Sequence, residues 1–304
     1  MRKIIFKNFQ SPGDIMMLQL AVRELHRNYP NQFITDIVSP YPEITYGNFL
    51  LTRLIVNGMK DEDAEIIDVG YVEELIRSKI SGSHFSDGFI ADINNKLNLN
   101  IVKENMYPPL YLKDHEKDVK ETKIVYNLPE RFWIFNAGIK NDIPLKSWVV
   151  DYWKEFIQLF NKKSNIFLVQ VGSHNHIHPN FNNDVISLVG KTENLREFIR
   201  VCYAAEGSIG PISMHMHLMA SFKKPCIVIA GGRELSTWEQ YPIHQFLHTV
   251  GTLDCCKLYG CHKSQRSECV NIDKSTNYPK CMSMIDHYQV WKAFRMYEKN
   301  GSKI

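Results

Sequence analysis

Five of the seven cysteines, Cys255, Cys256, Cys261, Cys269 and Cys281, fall within 27 positions of a 304-residue chain. Thiolates hold soft metal ions, and the spacing Cys256-x4-Cys261-x7-Cys269-x11-Cys281 supplies the four ligands of a closed tetrahedral site. Cys255 can substitute for its neighbour, and Gly260 permits a tight ligand loop. The set lacks the paired C-x-x-C knuckles of ordinary zinc ribbons, so isolated core thiols are the alternative. Cys202 and Cys226, alone in apolar surroundings, read as small core residues.

A second constellation is a series of turns. Gly13-Asp14 follows the first apolar run directly: glycine lets the backbone turn closely, and the aspartate either caps the helix that follows or serves as a general base toward a hydroxyl. Asn136-Ala137-Gly138, with Lys146 shortly after it, can present backbone amides and an ammonium to a phosphate, and from spacing alone a solvated surface lysine is an equal reading of Lys146. Gly190-Lys191-Thr192 looks like part of a P-loop, but the glycine required five positions before Gly190 is Val185, so an ATPase is excluded. Ser213 and His217 head a short apolar helix, as an anion site or, for His217, as a core histidine. His174, His176 and His178 alternate but run into Pro179, which marks a polar loop rather than a metal-binding strand.

These turns need elements to hold them. Residues 3–9 read as a strand, and Met17, Leu20, Ala21 and Leu25 fall at helical spacing between Asp14 and Arg27, which together give a strand, glycine turn and helix. Strands are expected at 33–38 and 65–68 and a helix at 86–97. The polar, proline-marked stretch 107–121 closes the first lobe. The rhythm then restarts with strands at 131–136, 165–171 and 225–230 and helices at 147–160, 194–205, 213–222 and 284–299. Alternating strands and helices in both halves imply an α/β protein of two doubly wound, Rossmann-like domains facing a cleft, with ligands beyond the carboxyl ends of the strands. The expected division is 1–125, 126–285 with a cysteine loop at 255–281, and a C-terminal helix in 286–304.

Composition narrows the class. Hydrophobic residues at 44% and charged residues at 23% are those of a globular chain. A net charge of +3 suits a phosphate-bearing ligand but falls short of a nucleic-acid-binding signature. The basic start runs into Ser11-Pro12-Gly13-Asp14 instead of a cleavage site, and no window reaches the length of a membrane helix, so a cytoplasmic protein is expected, where clustered cysteines favour metal over disulfides.

Residues 11–30, SPGDIMMLQLAVRELHRNYP, resemble the opening of the ADP-heptose heptosyltransferases, glycosyltransferase family nine, whose fold is GT-B. FNAG followed by Lys146-Ser147-Trp148, the LVGKT segment, and SIGPISMHMHLMA are similar to that family's later motifs. Gly210, Ser213, His217, Leu218 and Ala220 match, whereas Ile212 stands where the family has aspartate and Met214 where it has glycine. The order W-x-x-Y-P, H-T-V-G, double cysteine, G-C and P-x-C-M-x-M-I resembles a cysteine-containing branch of heptosyltransferase-like proteins.

The resemblance implies an inverting glycosyltransferase with Asp14 as base toward the acceptor hydroxyl. Its nucleotide-diphosphate sugar, ADP-linked by preference, would be held by Gly13, Asn136, Gly138, Lys146, Lys191, Thr192, Ser213 and His217. By the same analogy the ion on Cys256, Cys261, Cys269 and Cys281 is iron or zinc and is structural, because four thiolates leave no open position, so transfer is metal-independent. The acceptor is a glycan, a protein side chain or a modified nucleobase. A non-catalytic nucleotide-sugar binder on the same fold is the alternative, sharpened by Ile212. An iron–sulfur protein is a third class, suggested by the cysteines alone.

Overall fold

The computed structural model describes residues 1–73, 83–139, 144–257, 260–261 and 268–299. The chain divides into two compact units, Met1–Lys117 and Asp118–Ile304. Their boundary lies inside the polar stretch 107–121 and eight residues before the expected end of the first domain.

The first unit opens with β1 (Arg2–Lys7), α1 (Pro12–Asn28) and β2 (Phe33–Val38). A short α2 (Pro42–Thr45), a hairpin of β3 (Ile55–Val56) and β4 (Met59–Lys60), β5 (Ala64–Asp68) and α3 (Phe85–Leu97) follow. The sheet order β2-β1-β5 is parallel throughout. Ile4, Ile5 and Phe6 are all buried because the central strand is covered on both faces. Pro12 at the first helical position starts α1, which packs against α3. Buried Glu24 binds Arg23 and Arg27. Burial alone would raise its carboxyl, but the hydrogen bonds from Arg27 and Arg23 outweigh that and hold it below the usual range.

The second unit begins with α4 (Val119–Val125) and β6 (Phe132–Phe135), continues through α5 (Val150–Lys163), β7 (Phe167–Gln170), β8 (Ile186–Ser187) and α6 (Leu195–Ala204), and then β9 (Gly207–Pro211) and α7 (Met214–Ser221). After these come β10 (Cys226–Gly231), α8 (Ser236–Glu239), β11 (His244–His248), a small hairpin of β12 (Ile272–Asp273) and β13 (Tyr278–Pro279), α9 (Lys280–Ser283) and α10 (His287–Lys299). The six-stranded sheet has the order β11-β10-β9-β6-β7-β8 and is parallel at every pairing. Trp133, Phe135, Ile209, Ile227 and Ile229 join one apolar cluster with Trp153, Phe156, Phe160 and Phe294 from α5 and α10. Period-two alternation turns Ser208 and Cys226 the other way, where they meet His215 of α7.

Three expectations shift. The helix expected over 284–299 begins three residues later, at His287: Asp286 and Gln289 exchange reciprocal side-chain-to-amide bonds of 2.8 and 2.9 Å, and this capping box sets its start after α9. The helix expected from Ser147 starts at Val150, after a 3-10 turn at Pro144–Lys146 and a Trp148 indole that donates to the Ile285 carbonyl at 2.7 Å. Residues 119–125, assigned to the first lobe on sequence, pack in the second unit as α4 against α6.

Candidate functional site

Because the large sheet is parallel, the segments after its strands gather along one edge. Past β6, Asn136 turns the chain by accepting from the Gly138 amide at 2.9 Å through its side chain. Past β7, the Gly172 carbonyl accepts from the Gly190 amide at 2.9 Å, which ties the turn before Lys191 and Thr192 to its neighbour. Between these turns lies the imidazole of His178. A Cβ on Gly138 would stand 2.5 Å from its Cε1, and one on Gly172 only 2.1 Å. His178 Nε2 donates to the Ser173 carbonyl at 2.9 Å, while burial, partly offset by that bond, lowers its pKa. The alternating histidines thus do form a polar loop, but His178 packs the glycine turns together. Sequence gave no sign of that role, which depends on a contact with Gly138 forty residues away.

Lys146 is not a solvated lysine. Its Nζ lies 2.9 Å from Oε1 of Glu234, whose side chain is 2% exposed, and Arg233 approaches the same oxygen at 3.5 Å. Burial alone would lower the Lys146 pKa, yet the charges of Glu234 and Glu239 raise it. Lys191 is exposed and Thr192 half-buried in the turn after β8.

Ser213 is the N-cap of α7 and makes no side-chain capping bond, and Ile212 is buried where the resemblance expects a carboxylate. His217 is buried one turn into α7, with Nδ1 2.7 Å from the Tyr241 hydroxyl and Tyr241 stacked edge-on with His244. This is the core-histidine arrangement. The sequence reading missed His215: its Nε2 donates to the Pro211 carbonyl at 2.9 Å and its Nδ1 lies 3.0 Å from the Ser208 hydroxyl, so it braces the turn between β9 and α7. Burial pushes its pKa down to about 4, which keeps it neutral.

In the first unit, Asp14 is not the helix N-cap. Ser11 holds that position, and Asp14 lies three residues on, where its Oδ2 accepts from the Ser11 amide at 2.9 Å and the Ser11 hydroxyl at 2.7 Å. Gly13 is buried beside it.

Cys255, Cys256, Cys261, Cys269 and Cys281 all line one cavity of about 180 Å³ in the second unit, with Arg233 at its wall. The Cys261 amide donates to the Gly232 carbonyl at 3.2 Å, and Gly260, at φ +70°, lies so close to Arg233 that a Cβ would stand 2.3 Å from its carbonyl oxygen. Burial, together with the charges of the other thiols, raises the Cys281 pKa to about 11. Among the described residues no three His, Cys, Asp or Glu side chains are close enough to hold a metal ion. Residues 258–259 and 262–267 of the expected loop lie outside the described residues.

No family model matches the sequence, and a search of curated proteins finds no match. Solved structures do match. A family 9 glycosyl transferase from Veillonella parvula superimposes with a TM-score of 0.68 at 14% identity, covering 97% of this chain and 96% of that one. Escherichia coli ADP-heptose lipopolysaccharide heptosyltransferase II gives 0.63 at 15% identity, covering 97% and 98%. The iron-containing dodecameric glycosyltransferase TibC of enterotoxigenic E. coli gives 0.68 at 12% identity, covering 98% of this chain and 76% of that one. The chain therefore has the α/β fold of GT-B glycosyltransferases, and these structural neighbours are heptosyltransferase-like members of family nine. Among the described residues no helix is long and apolar enough to cross a membrane.

Proposed function

We propose that the chain is an inverting glycosyltransferase that moves a sugar from a nucleotide-diphosphate donor, ADP-linked by preference, to an acceptor hydroxyl on a glycan, a protein or a modified nucleobase. One observation carries the reading: Asp14 stands at the first strand-to-helix turn of a fold that matches family-nine glycosyltransferases over nearly the whole chain. In the reaction the acceptor O–H gives its proton to the Asp14 carboxylate as the oxygen attacks the anomeric carbon. The bond from that carbon to the diphosphate oxygen breaks, and the diphosphate leaves with the electron pair. The donor phosphates would be held by the amide at Ser213 and by Lys191 and Thr192, along the Asn136–Gly138 turn, whose own amides already donate to the Ile209 carbonyl and the Asn136 side chain, with Gly13 keeping the Asp14 turn tight. Lys146, held charged by Glu234, and buried His217 would support that pocket from behind.

A structural iron or zinc ion on Cys256, Cys261, Cys269 and Cys281 completes the proposal. The convergence of five thiols on one cavity supports it. By chemistry alone the four thiols suit a thiophilic ion, although among the described residues no three of them stand at ligating distance, and such an ion would fasten the cysteine segment to the end of β10 without taking part in transfer. A second reading, a nucleotide-sugar binder without turnover, is favoured by the buried apolar Ile212.

The test is a thermal-shift panel of ADP-, UDP-, GDP- and CDP-sugars, followed by donor hydrolysis with wild type and Asp14→Ala. A donor that raises the melting temperature of both proteins but is turned over only by wild type is the expected result. Unchanged turnover by Asp14→Ala removes the base assignment, and binding without any turnover favours the binder.

A further inference from the structure

The cavity at the end of β10 is lined by five thiols and, among the described residues, by two charged side chains, Arg233 and Glu268. Glu268 is exposed. Arg233 is not: its side chain is 13% exposed, and its Nε is buried with no hydrogen-bond partner. Oε1 of Glu234 lies 3.5 Å away in an ion pair, but that oxygen already takes the Lys146 ammonium at 2.9 Å. A buried guanidinium N–H without an acceptor calls for an explanation in the chemistry around it.

The backbone sets Cys261 beside this arginine. The Cys261 amide donates to the Gly232 carbonyl, and Gly260, in the left-handed region, lets the chain close against the Arg233 carbonyl. The guanidinium is near enough for its charge to act on the Cys261 sulfur. As thiols the cysteines are donors: Cys256 Sγ donates to the Thr249 carbonyl at 3.6 Å and Cys269 Sγ to the Asn271 carbonyl at 3.3 Å. A thiol is at best a weak acceptor for Arg233. Ionised, each sulfur turns into a strong acceptor, and four thiolates around one divalent ion leave two negative charges unbalanced. A guanidinium, which keeps its proton at every working pH and carries its N–H groups in a fixed fork, is the cation suited to that centre.

We propose that Arg233 is a positioning residue of the metal centre: it donates to the Cys261 thiolate and offsets part of the charge that the four sulfurs bring to the ion. The inference rests on the metal reading of the cavity and adds to it a residue outside the ligand set. It also sets a sign. Removing the cation weakens the hold on a divalent ion. With iron, reduction from the ferric to the ferrous form adds one negative charge to the centre, so loss of Arg233 disfavours the reduced state and lowers the potential.

The experiment uses the full-length chain, with zinc and iron as probes. Zinc retention is read against a competing chelator, and the iron-loaded protein is titrated electrochemically while its thiolate-to-iron absorption is followed. Arg233→Met should weaken zinc binding about tenfold to a hundredfold and lower the iron potential. Arg233→Lys, which keeps the charge and loses the fork, should recover most of both, within about threefold of wild type in zinc affinity. Glu268→Gln, which removes a negative charge from the same wall, should shift the potential the opposite way. Zinc affinity and iron potential both unchanged in Arg233→Met, or Arg233→Lys as impaired as Arg233→Met, overturns the inference and leaves the metal centre standing. Wild type that binds neither ion overturns both. Arg233→Met that keeps its metal but loses ADP-sugar binding assigns the guanidinium to the donor phosphates, which overturns the inference as well. A purely structural arginine would lower the melting temperature of the stripped protein and leave the potential where it was.

Discussion

Replacing Glu234 with Gln should destabilise the second unit more than replacing Lys146 with Met. The carboxylate is shared: Lys146 lies at 2.9 Å and Arg233 at 3.5 Å from the same Oε1, with side chains 23% and 13% exposed. Glu234→Gln leaves two hindered cations facing each other, and breaking a pair of this kind costs about 3 kcal/mol, the low end of the usual range because Lys146 retains some water and the Glu239 charge. Lys146→Met leaves Glu234 paired with Arg233 and should cost about 1 kcal/mol. The double variant keeps only Arg233 uncompensated and should fall between them, at about 2 kcal/mol, so the second substitution partly rescues the first. Urea unfolding followed by tryptophan emission isolates the effect, since Trp133, Trp148, Trp153, Trp238 and Trp291 all lie in the second unit. The Lys146 pKa is raised, so the wild-type advantage over Glu234→Gln is fully present below the ordinary lysine value of about 10.4 and is lost as pH rises through the elevated one. A Lys146→Met variant less stable than Glu234→Gln, or a double variant worse than either, refutes the shared-carboxylate argument.

Other consequences are equally direct. Gly138→Ala should destabilise by about 2 kcal/mol, because its Cβ would stand 2.5 Å from the His178 ring, and His178→Ala in the same chain should recover most of that in a urea melt. Asp14→Ala should cost about 1 kcal/mol of stability in the same melt through loss of the Ser11 bonds, while Asp14→Asn should cost less and still lack transfer. Protein purified without chelator should carry one iron or zinc by elemental analysis and no acid-labile sulfide, and stripping it should lower the melting temperature without abolishing nucleotide binding. Replacing Cys281 with Ser should lower the metal content to near zero.

The fold was readable in the sequence where one element settles its own form. The buried run Cys226–Gly231 and the spaced apolar face of α1 identify themselves locally. What escaped depends on distant partners. His248 ends an edge strand, β11, whose pattern His-Gln-Phe-Leu-His has little of a core strand and which pairs only because β10 lies beside it. The motif residues of the candidate site are placed at strand ends as their turns required, but their partners were hidden: nothing near Lys146 in sequence announces Glu234, and nothing near Asn136 announces His178. Ser11 was passed over as the cap because Asp14, an equally good capping residue, fell at the expected start of the helix.

The Trp148 indole that reaches the Ile285 carbonyl, and Phe294 packed on Trp133 and Phe160, make the sheet's apolar face depend on residues more than a hundred positions downstream. During synthesis that face stays wet until α10 has left the ribosome, and a chain cut before Ile285 would present it to chaperones and proteases as unfinished. Premature termination late in the message should therefore yield degraded product instead of a shortened but working second unit.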